Sequence, residues 1–520
     1  MQQPVVTTRN GRIRGTTSAD GSVAVFRGIP YAAAPVGPNR FGLPRPVEPW
    51  TGELDASQYG PTAPKAPYAA PFDVLLPETD IPGADCLNLN VWTPARSVGT
   101  PERLPVMVFL HGGAFANGAG SLPGYDGSAF ARDGVVLVTL NYRLGADGFG
   151  LFDEAGEAGE AGEAEDAEDA GGHPANLGLR DQVAALEWVR EHIAAFGGDP
   201  GKVTLFGESA GAMSIGVLLA VPSAEGLFHR AILQSGAAQH VLSPGTARLI
   251  GRRLAELLGV PPTRAGIAGV PPERLLEAQQ QLRAAVSAAP DPAQWGEVAL
   301  NLMPFEPVVD GEFLPASPLA RIADGAGSGV DLLVGSNSDE FRLFLAPTGL
   351  LDLVPETRLR STAAGYGLDP EQALAGYWLG RPGAGNGELF AALVTDWFYR
   401  IPAIRLAEAH ARHGRAGTYL YEFGWQPPTF GGRLGACHAS ELPFVFDNLR
   451  EGGFAPLLGP DLPQQLADAV HGAWVAFATG GDPGWPGYDT ATRTTMHFDT
   501  ESGPRKDPRP EERTLWDGHR

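Results

Sequence analysis

Val203-Thr204-Leu205-Phe206-Gly207-Glu208-Ser209-Ala210-Gly211-Ala212-Met213-Ser214-Ile215-Gly216-Val217-Leu218-Leu219 decides the fold. An apolar run of strand length meets a five-residue turn with glycine at both ends, and a segment of helical length follows. Where a strand passes this closely into a helix, Gly207 and Gly211 leave out the Cβ atoms that would collide, and Ser209 is held at the exposed tip of a strained corner. The helix then aims its first N–H groups and the positive end of its dipole at charge developing beside Ser209, so the Ala210 N–H is the first candidate donor to an oxyanion. The competing reading is a glycine-rich turn with a solvated serine; the strand before and the helix after favour a nucleophile.

Upstream, the buried-strand run 104–110 leads into His111-Gly112-Gly113-Ala114-Phe115, and a second such run follows at 135–140. With almost no side chain in the way, the N–H groups of Gly113 and Ala114 can approach a substrate oxygen, completing a donor set with Ala210. Residues 176–196 have apolar positions at helical spacing and stop at Gly197-Gly198-Asp199-Pro200; strand patterns recur at 231–234, 330–335 and 418–423, and a last helix spans 466–479. Strands alternating with helices predict an α/β protein with a large, mostly parallel, twisted sheet flanked by helices. Residues 1–520 are read as one such domain, with a helical insertion at about 241–300.

In this architecture an acid and then a histidine follow the nucleophile along the chain. Of the eleven histidines, His410 and His413 lie in a polar helical stretch and read as solvated, His471 is mid-helix, His497 is in a strand-like run and His519 is at the chain end. Only His438 lies in a loop after a strand, between small neighbours. The acid should close the strand 330–335, where Asp339 and Glu340 stand side by side; spacing alone does not choose between them.

Composition narrows the function classes. A net charge of −22 opposes binding to nucleic acid or an anionic membrane, and no run of about 18 apolar residues suggests a membrane helix. No export signal is visible, and Cys86 and Cys437 cannot build a disulfide framework, so the cytoplasm is the expected compartment. Part of the acidic excess falls in 153–169, a repeat of acids, Ala and Gly that has nothing large to bury and reads as a surface loop. Its acids lack the spacing of a calcium loop. No cofactor and no metal is called for, and nothing in the sequence specifies an oligomeric state.

These residues resemble a known family, the type-B carboxylesterases, the α/β-hydrolase group that includes bacterial para-nitrobenzyl esterases and the cholinesterases, and the resemblance implies the α/β-hydrolase fold. The resemblance rests on Phe26-Arg-Gly-Ile-Pro-Tyr-Ala32, Arg40-Phe41, Asp85-Cys-Leu-Asn-Leu-Asn-Val-Trp92, the His111 and Ser209 motifs, Asn141-Tyr-Arg143, Gly178-Leu-Arg-Asp-Gln182, His438-x-x-Glu441-Leu-Pro-Phe-Val-Phe446 and Trp516-Asp-Gly518, in order over nearly the whole chain. It implies a serine esterase acting on a small ester and water, with nucleophile Ser209, acid Glu340, base His438 and oxyanion donors Gly113, Ala114 and Ala210. Lipase or amidase action at the same site is the near alternative, and a non-catalytic adhesion or scaffold protein the distant one, since such members typically lack the serine. The chain departs from the pattern in three places. Ala84 replaces the glutamate that partners the Arg of Arg-Phe, leaving Asp85 as the expected partner of Arg40. Residues 60–64 lack the cysteine that bridges to Cys86 in many members, so Cys86 is expected to be a free thiol. The acidic 153–169 segment stands where a shorter loop is usual. No aromatic residue lies between Asp73 and Asp85, where cholinesterases carry a cation-stacking Trp; the matching position is Leu76. Neutral short-to-medium acyl esters are therefore the expected substrates.

Overall fold

The apolar runs become strands because both faces of the sheet are covered. A computed structural model describes residues 3–153 and 174–519. Among them the strands are β1 (Val5–Thr8), β2 (Gly11–Arg14), β3 (Thr16–Thr17), β4 (Val23–Pro30), β5 (Glu53–Asp55), β6 (Asn88–Pro94), β7 (Leu104–Leu110), β8 (Val136–Leu140), β9 (Gly198–Glu208), β10 (Arg230–Gln234), β11 (Asp331–Asn337), β12 (Thr418–Phe423), β13 (Thr494–Phe498) and β14 (Gly503–Lys506). A small sheet has the order β1-β2-β5, and the large one β14-β13-β12-β11-β10-β9-β7-β8-β6-β4-β3. From β8 through β13 neighbouring strands run parallel, and the strands outside them are antiparallel.

Side chains alternate across this sheet. Val106, Val108 and Leu110 enter the apolar layer that also takes in the helices Leu177–His192 and Ala210–Leu218. Met107 and Phe109 enter the opposite layer with Phe206, Ile232 and the helix Gln464–Gly480. The register brings the carboxyl ends of the central strands level: Leu110 lies opposite Gly207, Gln234 opposite Glu208, Gly335 opposite Gln234, and Phe423 opposite Asn337. The loops that follow these ends carry Gly113, Ser209, Glu340 and His438, at the edge where open α/β sheets bind ligands.

The expected insertion is helical, with Pro244–Leu258, Arg264–Ala268, Pro272–Ala288, Pro292–Trp295 and Val298–Asn301. A second helical stretch, from Arg342–Leu345 to Ile401–Ala411, separates β11 from β12. Its last helix packs on those strands, so His410 is buried rather than solvated, with Nδ1 2.8 Å from Thr418 Oγ1. Asp85 is not the partner of Arg40. The guanidinium reaches Asp147 at 2.9 Å and the carbonyls of Ala268 and Val270, a contact made possible by the helix Gly145–Phe149, far along the chain. Arg143 and Asp181, from two of the motifs, form a buried bidentate pair at 2.8 and 2.7 Å. Cys86 and Cys437 are free and buried. Of the acidic segment 153–169 only Asp153 lies within the described residues, paired with Arg252. Among the described residues no helix is long and apolar enough to cross a membrane.

Candidate active site

β9 ends at Glu208 and a helix starts at Ala210, leaving one residue to turn the corner. That residue, Ser209, has φ 55° and ψ −123°, a conformation that costs about 1–3 kcal/mol and persists only where the surroundings enforce it. Here the Ser209 N–H donates to the Gln234 carbonyl and the Ser209 carbonyl accepts from the Met213 N–H, both at 2.8 Å. The flanking glycines are sterically required. A Cβ on Gly211 would lie 2.0 Å from the Leu110 carbonyl oxygen, and one on Gly207 2.7 Å from the same atom.

The loop after β7 lies against this corner, since a Cβ at Gly112 would come within 3.0 Å of the Ser209 Cβ. Gly113, Ala114 and Phe115 all have positive φ, at 117°, 53° and 57°. The loop is fixed from behind: the Gly113 carbonyl accepts from Ala116 and Asn117, and the Phe115 carbonyl accepts from Gly145 at 2.7 Å. Phe115 is buried against Phe149. Among the described residues the N–H groups of Gly113 and Ala114 donate to no protein acceptor, which leaves them available to a substrate oxygen. His111, just upstream, stacks on Tyr142, and burial lowers its pKa to about 4.

Of the two adjacent carboxylates, Glu340 reaches the histidine. Its Oε2 accepts from His438 Nδ1 at 2.6 Å and its Oε1 accepts from the Asn337 N–H at 2.7 Å, and the side chain is fully buried. Asp339, half-buried, instead accepts from the Ala436 N–H and pairs with Arg342 at 3.2 Å. Nε2 of His438 lies 3.1 Å from Oε1 of Glu208, the residue before Ser209, off the line of a hydrogen bond. The rings of Tyr399, in the short π-helix Asp396–Arg400, and Phe344 pack on the imidazole with centroids 4.8 and 5.9 Å away.

Glu208, Glu441, Asn337, Gln234, Phe344 and Tyr399 are not singled out by the sequence reading, although Glu208 lies inside the serine motif and Glu441 three residues after His438. Glu441 accepts from Asn337 Nδ2 at 2.7 Å and Gln234 Nε2 at 3.0 Å, and Gln234 accepts in turn from Trp474. Three buried carboxyls thus surround one imidazole. Burial pushes the Glu208 pKa up, with His438 opposing the rise, and burial and Glu340 raise that of Glu441. For His438, burial alone would lower the pKa, but Glu208 and Glu340 outweigh it and the net shift is upward. A strained serine, a loop of free N–H groups and an imidazole whose far nitrogen is held by a carboxylate form an arrangement suited to acyl transfer.

A model described as the carboxylesterase family matches residues 2–516. The chain is 39% identical over 540 aligned residues to the para-nitrobenzyl esterase of Bacillus subtilis (strain 168), covering 99% of this chain and 98% of that protein. It is 35% identical to the phenmedipham hydrolase of Pseudarthrobacter oxydans, covering 92% and 91%. Among solved structures, a PNB esterase superposes with a TM-score of 0.82 at 38% identity over 99% of both chains. A carboxylesterase of Geobacillus stearothermophilus gives 0.82 at 36% identity over 99% of this chain and 100% of that one.

Proposed function

The chain belongs to the carboxylesterase family and is a carboxylic ester hydrolase, and we propose that it works through Ser209 as nucleophile, His438 as general base and Glu340 as the carboxylate that orients it. Gly113, Ala114 and Ala210 supply the oxyanion donors. The observation that carries this reading is the 2.6 Å bond from His438 Nδ1 to a fully buried Glu340. It favours the tautomer with Nδ1 protonated, which leaves the lone pair on Nε2, beside Glu208, to take the proton of the neighbouring Ser209.

The chemistry follows from the geometry. As Ser209 Oγ attacks the ester carbonyl, Nε2 takes its proton, and the imidazolium forms between Glu340 and Glu208. Negative charge moves onto the former carbonyl oxygen, which the three N–H groups and the amino end of the helix Ala210–Leu218 stabilise. His438 returns the proton to the leaving alcohol. Water then repeats the sequence on the acyl-enzyme. No step needs a cofactor or metal. The reading takes residues 1–520 as one catalytic domain, and the cytoplasm suits two buried unpaired thiols.

Neutral acyl esters of short to medium chain are the proposed substrates. Leu76 stands where a cation-stacking aromatic would be needed for choline. The test is a chain-length series of nitrophenyl esters with wild type and Ser209→Ala. The variant should lose at least about a thousandfold in kcat with an unchanged melting temperature, and retained turnover above about a thousandth of wild type would overturn the assignment.

A further inference from the structure

On the esterase reading, a side chain of one insertion helix bears on which esters the site admits. Gln279 and Arg283, four residues apart, share one face of the helix Pro272–Ala288. Oε1 of Gln279 accepts from the Ala146 N–H at 2.9 Å, next to Gly145, whose N–H holds the Phe115 carbonyl. That helix face therefore packs against the segment that backs the loop of free N–H groups. One turn on, Nη1 of Arg283 is 3.4 Å from Oδ1 of Asn117, whose own N–H donates to the Gly113 carbonyl at 2.9 Å. The Asn117 amide is set by donating to the Ala66 carbonyl and to Glu78 Oε1, at 2.7 and 3.0 Å.

Arg283 is half-buried, yet among the described residues no carboxylate lies within ion-pair distance of it, and its one long hydrogen bond leaves most of its five N–H donors unused. In a chain with 60 acidic and 38 basic residues, a sheltered guanidinium without an acid needs an explanation. Burial lowers its pKa, and the ionisable group coupled to it is the phenol of Tyr68, which burial keeps neutral and which also lies in the field of Glu208 beside the serine. Glu78 is engaged by Asn117 and the Tyr68 N–H.

We propose that Arg283 is a specificity residue that, besides the neutral esters, admits esters bearing a carboxylate several bonds from the scissile carbonyl, the anion taking the free guanidinium donors. Such a charge-assisted contact corresponds to roughly ten- to a hundredfold in kcat/KM. The test measures kcat/KM for two matched pairs of esters with wild type, Arg283→Gln and Arg283→Lys. Nitrophenyl butyrate against nitrophenyl hydrogen succinate places the anion on the acyl side, and phenyl acetate against 4-acetoxybenzoate places it on the leaving group. Arg283→Gln should lower the anionic-to-neutral ratio by about tenfold or more in one pair, neutral esters staying within about twofold, and Arg283→Lys should restore part of that ratio. The pair that responds identifies the side of the substrate. Unchanged ratios in both pairs, or an equal loss on neutral and anionic esters, would overturn the proposal. A wild-type enzyme inert on all four esters would instead refute the esterase reading, and the proposal with it.

Discussion

Replacing Glu340 by Gln should be far more damaging than replacing its neighbour Asp339 by Asn. Glu340 accepts two N–H bonds, from His438 Nδ1 at 2.6 Å and from Asn337 at 2.7 Å. A carboxamide has one acceptor oxygen. If that oxygen faces His438, the amide NH2 meets the buried Asn337 N–H and both donors go unsatisfied, which costs about 1–3 kcal/mol. If it faces Asn337, every bond is kept, but the NH2 must donate to Nδ1. That orientation prevails, and it moves the ring proton to Nε2, where the base can no longer accept from Ser209. Losing the carboxylate also removes a charge-assisted bond to the imidazolium, worth about 1.5–3 kcal/mol. Together these predict a fall in kcat of about 10² to 10⁴ with KM little changed. Asp339 touches Ala436 and Arg342 rather than His438, so Asp339→Asn should stay within about threefold. Steady-state turnover of nitrophenyl butyrate, with melting curves for both variants, decides the matter. A Glu340→Gln enzyme within tenfold of wild type, or an Asp339→Asn enzyme that is the worse of the two, would refute the reasoning.

Glu208→Gln should move the acid limb of the kcat/KM profile to lower pH. Glu208 helps raise the His438 pKa, its removal lowers that pKa, and a base must be neutral to act; a limb that stays in place or moves up would contradict the assigned contact. Thiol titration should find two reactive groups per chain after denaturation without reductant. In the native protein both should react slowly, since both are buried and burial raises the Cys86 pKa to about 12; fewer than two after denaturation would mean a disulfide. Neutral esters should exceed choline esters of the same acyl group in kcat/KM. The reverse would point to Phe72 as a cation seat, because its ring lies 6.2 Å from Phe344, which itself packs on His438.

The parts of this molecule legible in the sequence are those set by local backbone demands. Gly207 and Gly211 are required by a carbonyl oxygen 2.7 and 2.0 Å from their missing Cβ positions, and such a requirement shows as glycine in any strand-to-helix corner. Strand runs such as 104–110 were likewise readable, because burial on both faces removes polar residues. What depended on distant contacts was not. Arg40 finds Asp147 across 107 positions, and His410 is buried because its helix meets β11 and β12, although Glu408, Arg412 and His413 stand within three residues of it. Asp339 and Glu340 are adjacent and chemically alike. Only the fold around Asn337 and Ala436 turns one carboxylate to the imidazole and the other away.

The least legible feature is also the one that bears most on the proposed chemistry. A triad needs one carboxylate, yet His438 is surrounded by Glu340, Glu208 and Glu441, all buried. Three ionised carboxyls cannot be held together in so dry a site, and the upward shifts of Glu208 and Glu441 express that. A raised His438 and a raised Glu208, in contact at 3.1 Å, describe one proton retained by the pair rather than two independent groups. When the proton resides on Glu208, His438 is neutral and ready to act as base. When Ser209 gives up its proton to Nε2, the imidazolium is held by Glu340 through Nδ1, and the fields of Glu208 and Glu441 also favour its charge. The extra carboxyls therefore make His438 a stronger base, and the consequence is that activity should be lost earlier as the pH falls than in a site with Glu340 alone.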